Sequence, residues 1–136
     1  MGIRRQSREL AMQALFQSEF AGTPIMEALQ HLRDHFEASR KAYDYAREIV
    51  EGITAHWQEI NELLRHHSRN WRMDRMSLVD RNILRVAIFE LCYKDEVPAS
   101  VAINEAIEVA KRYSTDEAGP FINGILDGLR LALPGK

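Results

Sequence analysis

The sequence predicts an all-α bundle of about six or seven helices. Apolar residues recur at helical spacing along almost the whole chain, and no strand-like alternation persists anywhere. Gly22-Thr23-Pro24, Val97-Pro98, Gly119-Pro120 and Pro134-Gly135 fall between or after the apolar stripes, where helices are expected to stop and start. No internal repeat or low-complexity linker divides the chain.

The first helix opens with Arg4, Arg5 and Arg8 and buries a narrow stripe of Leu10, Ala11, Ala14, Leu15 and Ser18. Gly22-Thr23-Pro24 stops it, and Pro24 fits the first position of a second helix carrying Met26, Leu29, Leu32 and Phe36. A long third pattern runs from about Ala42 to Leu64, with Tyr45, Ile49, Ile53, Trp57, Ile60 and Leu64 on one side; Gly52 marks close packing or a bend within it. Asn70 to Met76 reads as a loop or short turn, and Asn70 to Ser77 as a place where two sub-bundles could divide. Ser77-Leu78-Val79-Asp80 starts the next helix in the manner of a capping box. Ile83, Leu84, Val86, Ala87, Ile88, Phe89 and Leu91 make that helix apolar nearly all round, so neighbours should enclose it on several sides. Val97-Pro98 breaks it, and Ile103, Ala106, Ile107 and Ala110 form another stripe. After a turn-rich link from Ser114 to Gly119, Pro120 opens the last helix, with Ile122, Ile125, Leu126 and Leu129 facing inward before Pro134-Gly135.

A chain of 136 residues suits one domain with one core. Its net charge of -2 means that any nucleic-acid binding must come from a local patch. No apolar run approaches the roughly 18 residues of a membrane span, and the basic amino end is not followed by the apolar stretch of a signal peptide. The lone Cys92 reads as a packed core thiol in a reducing compartment, which makes the cytoplasm the expected location.

Chemistry-bearing constellations are few. No Gly-rich phosphate loop and no nucleophile elbow is present. His31 and His35 are spaced to share one helix face, but further ligands with diagnostic spacing are missing, so two solvated histidines are expected. Glu105 and Glu108 read as a solvated face. The arginines stand out because they occupy the wrong end of a helix: exposed N–H groups already make that end partly positive, and each added cation costs about 0.3–1 kcal/mol. Arginines beside free backbone donors suit an anion such as phosphate. Arg4 and Arg8 should project from one side, with Arg5 about 100° round the helix. Lys111 and Arg112 close a helix, where cations meet the dipole favourably; Phe121 and Asn123 could stack on and hydrogen-bond to an unpaired base, or serve as core residue and local cap. Trp71, Asp74 and Arg75 lie in a segment whose mix of aromatic, Met and charge suits a protein interface, and Asp80 can complete the Ser77 cap.

These residues together resemble the NusB family of bacterial transcription antitermination factors. The resemblance rests on Arg4 through Phe16 (RRQSRELAMQALF), Leu84 through Leu91 (LRVAIFEL), Val97 through Lys111 (VPASVAINEAIEVAK) and Phe121 through Asp127 (FINGILD), in that order. It implies one domain over residues 1–136, with about seven helices in two packed sub-bundles. It further implies binding of boxA, a short single-stranded RNA element, together with NusE, a small-subunit ribosomal protein, within the RNA polymerase antitermination complex. Neither catalytic activity nor a cofactor is implied. Some relatives self-associate, so a homodimer is an open outcome.

By that resemblance Arg4, Arg5 and Arg8 match an RNA-binding arm, Phe121 and Asn123 the RNA-facing start of the last helix, and Lys111, with Arg112 beside it, a basic position nearby. Glu117 matches a position where an acid weakens phosphate binding, and Asp80 an acidic position at the NusE interface, with Trp71, Asp74 and Arg75 in the same region. Gln6 and Ser7 interrupt an arginine run that is denser in some relatives, and Pro120 stands where a polar or basic residue is common. Two alternatives are a helical protein–protein adaptor without direct RNA binding and an RNA-binding partner of a separate RNA methyltransferase.

Overall fold

The computed structural model describes residues 2–35, 38–68 and 76–135. Among these residues there are seven helices and no strand: α1 (Ile3–Ala21), α2 (Ile25–His35), α3 (Arg40–Ala55), α4 (Trp57–His67), α5 (Leu78–Tyr93), α6 (Ala99–Tyr113) and α7 (Ala118–Ala132). The expected loop at residues 70–75 lies outside the described residues, as do Phe36, Trp71, Asp74 and Arg75.

Local chemistry sets most of the ends. Gly22 adopts the left-handed conformation (φ 75°) and its N–H returns to the Ser18 carbonyl, closing α1 as a glycine cap does. Ser39 and Ser77 cap α3 and α5, their hydroxyl oxygens accepting from the N–H groups of Ala42 and Asp80 at 3.1 and 3.0 Å. Pro24 stands just before α2, its carbonyl accepting from Ala28. α7 opens at Ala118, two residues before the expected Pro120, which sits inside the first turn. Proline is tolerated there because that turn's N–H groups have no intrahelical partner.

The long third pattern is two helices. The chain turns at His56, whose ring stacks on Tyr93 with centroids 3.8 Å apart, and α4 leaves in a new direction. Apolar periodicity runs straight through this turn because both helices bury the same side of the chain. α1, α2 and α3 pack together, while α4 joins α5, α6 and α7. The division into sub-bundles therefore falls at His56 and not at Asn70–Ser77. α5 contacts α1 and α3 on one side and α4, α6 and α7 on the other. That position explains its apolar circumference, and the buried side chains form one continuous core.

Gly52 is a point of close approach between α3 and α5. A Cβ at this position would overlap the Phe89 ring. Alanine is the better helix former by about 1 kcal/mol, yet Gly52→Ala is expected to lose about 1–3 kcal/mol, because forced overpacking outweighs propensity. Urea denaturation checks this, and trimming the ring by Phe89→Leu in the same chain should lessen the penalty. A Gly52→Ala protein as stable as the parent would contradict the close-packing argument.

Candidate nucleic-acid interface

The first turn of α1 begins without a capping side chain at Gly2 and without an acid. Helices α3 and α6 flank it, and they determine where each arginine goes. Ser7 is fully buried, its hydroxyl within hydrogen-bonding reach of the Ile3 and Ala42 carbonyls at 2.9 and 2.8 Å. A buried seam of this kind has no room for a longer side chain, so the interruption of the arginine run at Ser7 is structural.

The three arginines do not project together. Arg4 is exposed and lies over the Tyr45 ring of α3, 3.8 Å from its centroid. Arg5 reaches to α6, where its Nε and Nη2 donate to Glu105 at 3.1 and 2.5 Å. Arg8 points inward and is only 6% exposed. Its Nε donates to Glu90 of α5 at 2.8 Å and its Nη1 to Glu105 at 3.2 Å. The expectation that Arg8 shares an exposed face with Arg4 is thus corrected: the next turn of α1 is enclosed by α5 and α6, and Arg8 enters that interface with acids waiting for it. Tyr45 completes the cluster by donating its hydroxyl to Glu90 at 2.6 Å. Burial and the adjacent Glu90 charge push the Tyr45 hydroxyl well above the ordinary phenol range, so it remains a donor. The hydrogen bonds from Arg5 hold Glu105 below the usual carboxylate range against the opposing effect of burial. Glu105 is therefore part of a charge-paired seam and not the solvated acid expected from sequence.

A second pairing lies further along the same seam. Arg112 donates to Glu9 at 3.2 Å, and the Tyr113 hydroxyl approaches Glu9 at 3.3 Å. Lys111 is exposed and pairs with Glu108 at 2.8 Å, one turn earlier on α6. Lys111 and the exposed Asn123 line one open groove between α6 and α7, together with Thr115, Asp116 and Pro120. Phe121 is half-buried and packs against the core, so its ring is in part the core residue that sequence allowed. Glu117 is exposed at the start of α7. The fold thus brings Lys111 and Asn123 to one surface and Arg4 and Arg5 to the start of α1. Arg8 it places beneath that surface.

The other end of α1 carries different chemistry. Phe20 is 73% exposed and stacks on Phe16 with centroids 5.8 Å apart. The neighbouring Glu19 lies 3.6 Å from Arg81 at the start of α5. Asp80, half-buried beside it in the first turn of α5, accepts a hydrogen bond from the Ser114 hydroxyl at 2.6 Å, so its carboxylate ties α5 to the end of α6, while its backbone N–H donates to the Ser77 cap. Beneath this end, Arg85 is buried against Asn61, Asn82 and Glu19 and lies under Trp57, 4.6 Å from its ring. Trp57 is therefore a half-open lid on a charge, not the core residue its place in the stripe suggested.

Sequence reasoning missed Glu90, Glu105, Arg85 and Glu19. The available signal was the presence of Asn82, Arg85 and Glu90 inside an otherwise apolar helix, since buried polar groups require partners.

Residues 5–130 match the NusB family. The transcription antitermination protein NusB of Myxococcus xanthus is 47% identical, with 98% of each chain covered. The solved NusB of T. maritima is 39% identical, with a TM-score of 0.86 over 94% of this chain and 90% of that one. A chain in a crystal structure of antitermination factors NusB and NusE in complex with dsRNA is 25% identical, with a TM-score of 0.86 over 96% of this chain and 98% of that one.

Proposed function

The chain belongs to the NusB family, and from that premise we propose that it is a transcription antitermination protein that binds RNA together with NusE. The likeness to a chain solved with both NusE and RNA carries this reading. The RNA is the single-stranded boxA element, and the outcome is read-through by RNA polymerase, notably in ribosomal RNA operons. The protein acts by binding, without catalysis and without a cofactor, and the whole chain serves as one RNA-binding helical domain. It works in the cytoplasm; none of the described helices is long and apolar enough to cross a membrane.

The RNA surface runs from Arg4 and Arg5 to the α6–α7 groove with Lys111 and Asn123, with Phe121 as a stacking edge and Arg112 beside it. Arg8 supports this surface from below. Most of these cations already face acids, which favours RNA binding that depends on NusE for additional affinity. NusE docks at the opposite end of α1, where the exposed Phe20 supplies an apolar anchor and Asp80 lies nearby. Trp71, Asp74 and Arg75 extend that interface by family resemblance alone.

Titration of labelled boxA RNA at two salt concentrations, with and without NusE, tests the assignment. With NusE present, the parent should bind, and log K should fall with log salt by about 0.7 per phosphate contact. Removing Arg4 and Arg5 together by alanine substitution should reduce that slope by about 1.4 and weaken binding. A parent that binds no RNA even with NusE refutes the function. An unchanged slope in the double variant refutes the arm.

A further inference from the structure

Glu105 holds two guanidinium groups with unequal freedom. Arg8 approaches it from inside the bundle, with a side chain 7% exposed and a second anchor at Glu90, 2.8 Å away. Arg5 approaches from outside with a side chain 34% exposed, and Glu105 is its ion-pair partner among the described residues. The Arg5 contact is two-pronged, through Nε and Nη2 onto the two carboxylate oxygens. A phosphodiester, though tetrahedral at phosphorus, also offers two charged oxygens that one arginine fork can span, which is why arginine binds carboxylate and phosphate alike. Glu105 therefore presents to Arg5 the negative charge and paired acceptor oxygens that an RNA backbone phosphate also offers.

We propose that Glu105 is a resident competitor for the RNA backbone: Arg5 leaves Glu105 for a phosphate when RNA binds, while Arg8 stays and keeps Glu105 neutralised. The exchange is inexpensive for a structural reason. Separating a partly exposed ion pair costs little, whereas stranding a half-buried carboxylate with no cation would cost far more. Arg8 prevents that stranding, and Glu90 prevents Arg8 from following Arg5 outward. The pair thus works as a donor of one arginine, with Glu105 setting how much RNA affinity the arm can express. This inference rests on the RNA-binding reading above and adds an affinity-determining acid to it.

The test compares the parent, Glu105→Gln, Arg5→Ala and the double variant, each with NusE and labelled boxA RNA. Glutamine keeps the size and an acceptor oxygen but removes the charge that competes. Glu105→Gln should bind RNA about two- to fivefold more tightly, matching the small coupling of a partly exposed pair. The gain should vanish in the Arg5→Ala background. A gain that persists without Arg5 reflects only the loss of a negative field and overturns the proposal, as does a folded Glu105→Gln that binds no more tightly. Should that variant fail to fold, guanidinium NMR of the parent decides. The Arg5 Nε–H resonance should move on RNA addition while that of Arg8 stays; a parent that binds RNA with an unmoved Arg5 signal overturns the exchange. A parent that binds no RNA sinks the functional reading, and this proposal with it.

Discussion

Arg8→Ala should lose about 3–5 kcal/mol of stability, the typical result of breaking a buried ion pair from one side. For a chain of this size that corresponds to a fall in melting temperature of roughly 10–20 °C. The cause is the acid left behind. Glu90 is 1% exposed and accepts from Arg8 and from the Tyr45 hydroxyl. Without Arg8, a buried charge in the last turn of α5 keeps one neutral donor and loses its counter-charge. Glu105 keeps Arg5 and suffers less. The sharper measurement is therefore a comparison within one series: Glu90→Gln added to Arg8→Ala should recover part of the loss, since it removes the stranded charge. Arg4→Ala, by contrast, should change stability by no more than about 1 kcal/mol, the scale of one exposed cation–π contact. If Arg8→Ala melts with the parent, Arg8 is not the structural member of the cluster, and the division of labour among the three arginines is wrong.

That division of labour shows where sequence legibility ends. The arginines were visible because they oppose the helix dipole, and local reasoning can see that conflict. Their acids were not visible as partners: Arg8 meets Glu90 and Glu105 at separations of 82 and 97 residues, and Arg5 meets Glu105 at 100. Apolar spacing alone marked most helix positions, since burying one stripe per helix leaves a periodic trace. The same trace concealed the turn at His56, because α3 and α4 bury one side of the chain in succession. Gly52 could be read as either a bend or a close approach. Only the position of the Phe89 ring across the interface makes it a close approach, with the bend four residues later. Trp57 shows the same limit: its place in the stripe is that of a core residue, but the group beneath it is a guanidinium from another helix.

That guanidinium, Arg85, carries the other large expected effect. Its side chain is 3% exposed and binds three elements at once: Asn61 of α4 at 2.9 Å, Glu19 of α1 at 2.9 Å and Asn82 of its own helix at 2.7 Å. Arg85→Ala should again cost about 3–5 kcal/mol. Part of the loss comes from the amide oxygens of Asn61 and Asn82, which would stay buried without a donor at about 1–3 kcal/mol each. Glu19 supplies a second, independent readout. Burial pushes its carboxyl up, but the hydrogen bond and charge of Arg85 together overcome this and hold it below its ordinary 4.5. A depressed folded-state pKa contributes stability above the unfolded-state value and loses it as pH falls through the folded one. The parent should therefore surrender part of its advantage in acid, and the stability gap between parent and Arg85→Ala should narrow as pH drops below about 4.5. Glu19 is 27% exposed, so solvent screening keeps this component a minor share of the total. Denaturation curves at neutral pH and near pH 3.5, about one unit below the ordinary glutamate value, measure both quantities. A gap that stays constant with pH would mean that the amides alone hold Arg85, and a gap near zero at neutral pH would mean that the junction of α1, α4 and α5 does not depend on it.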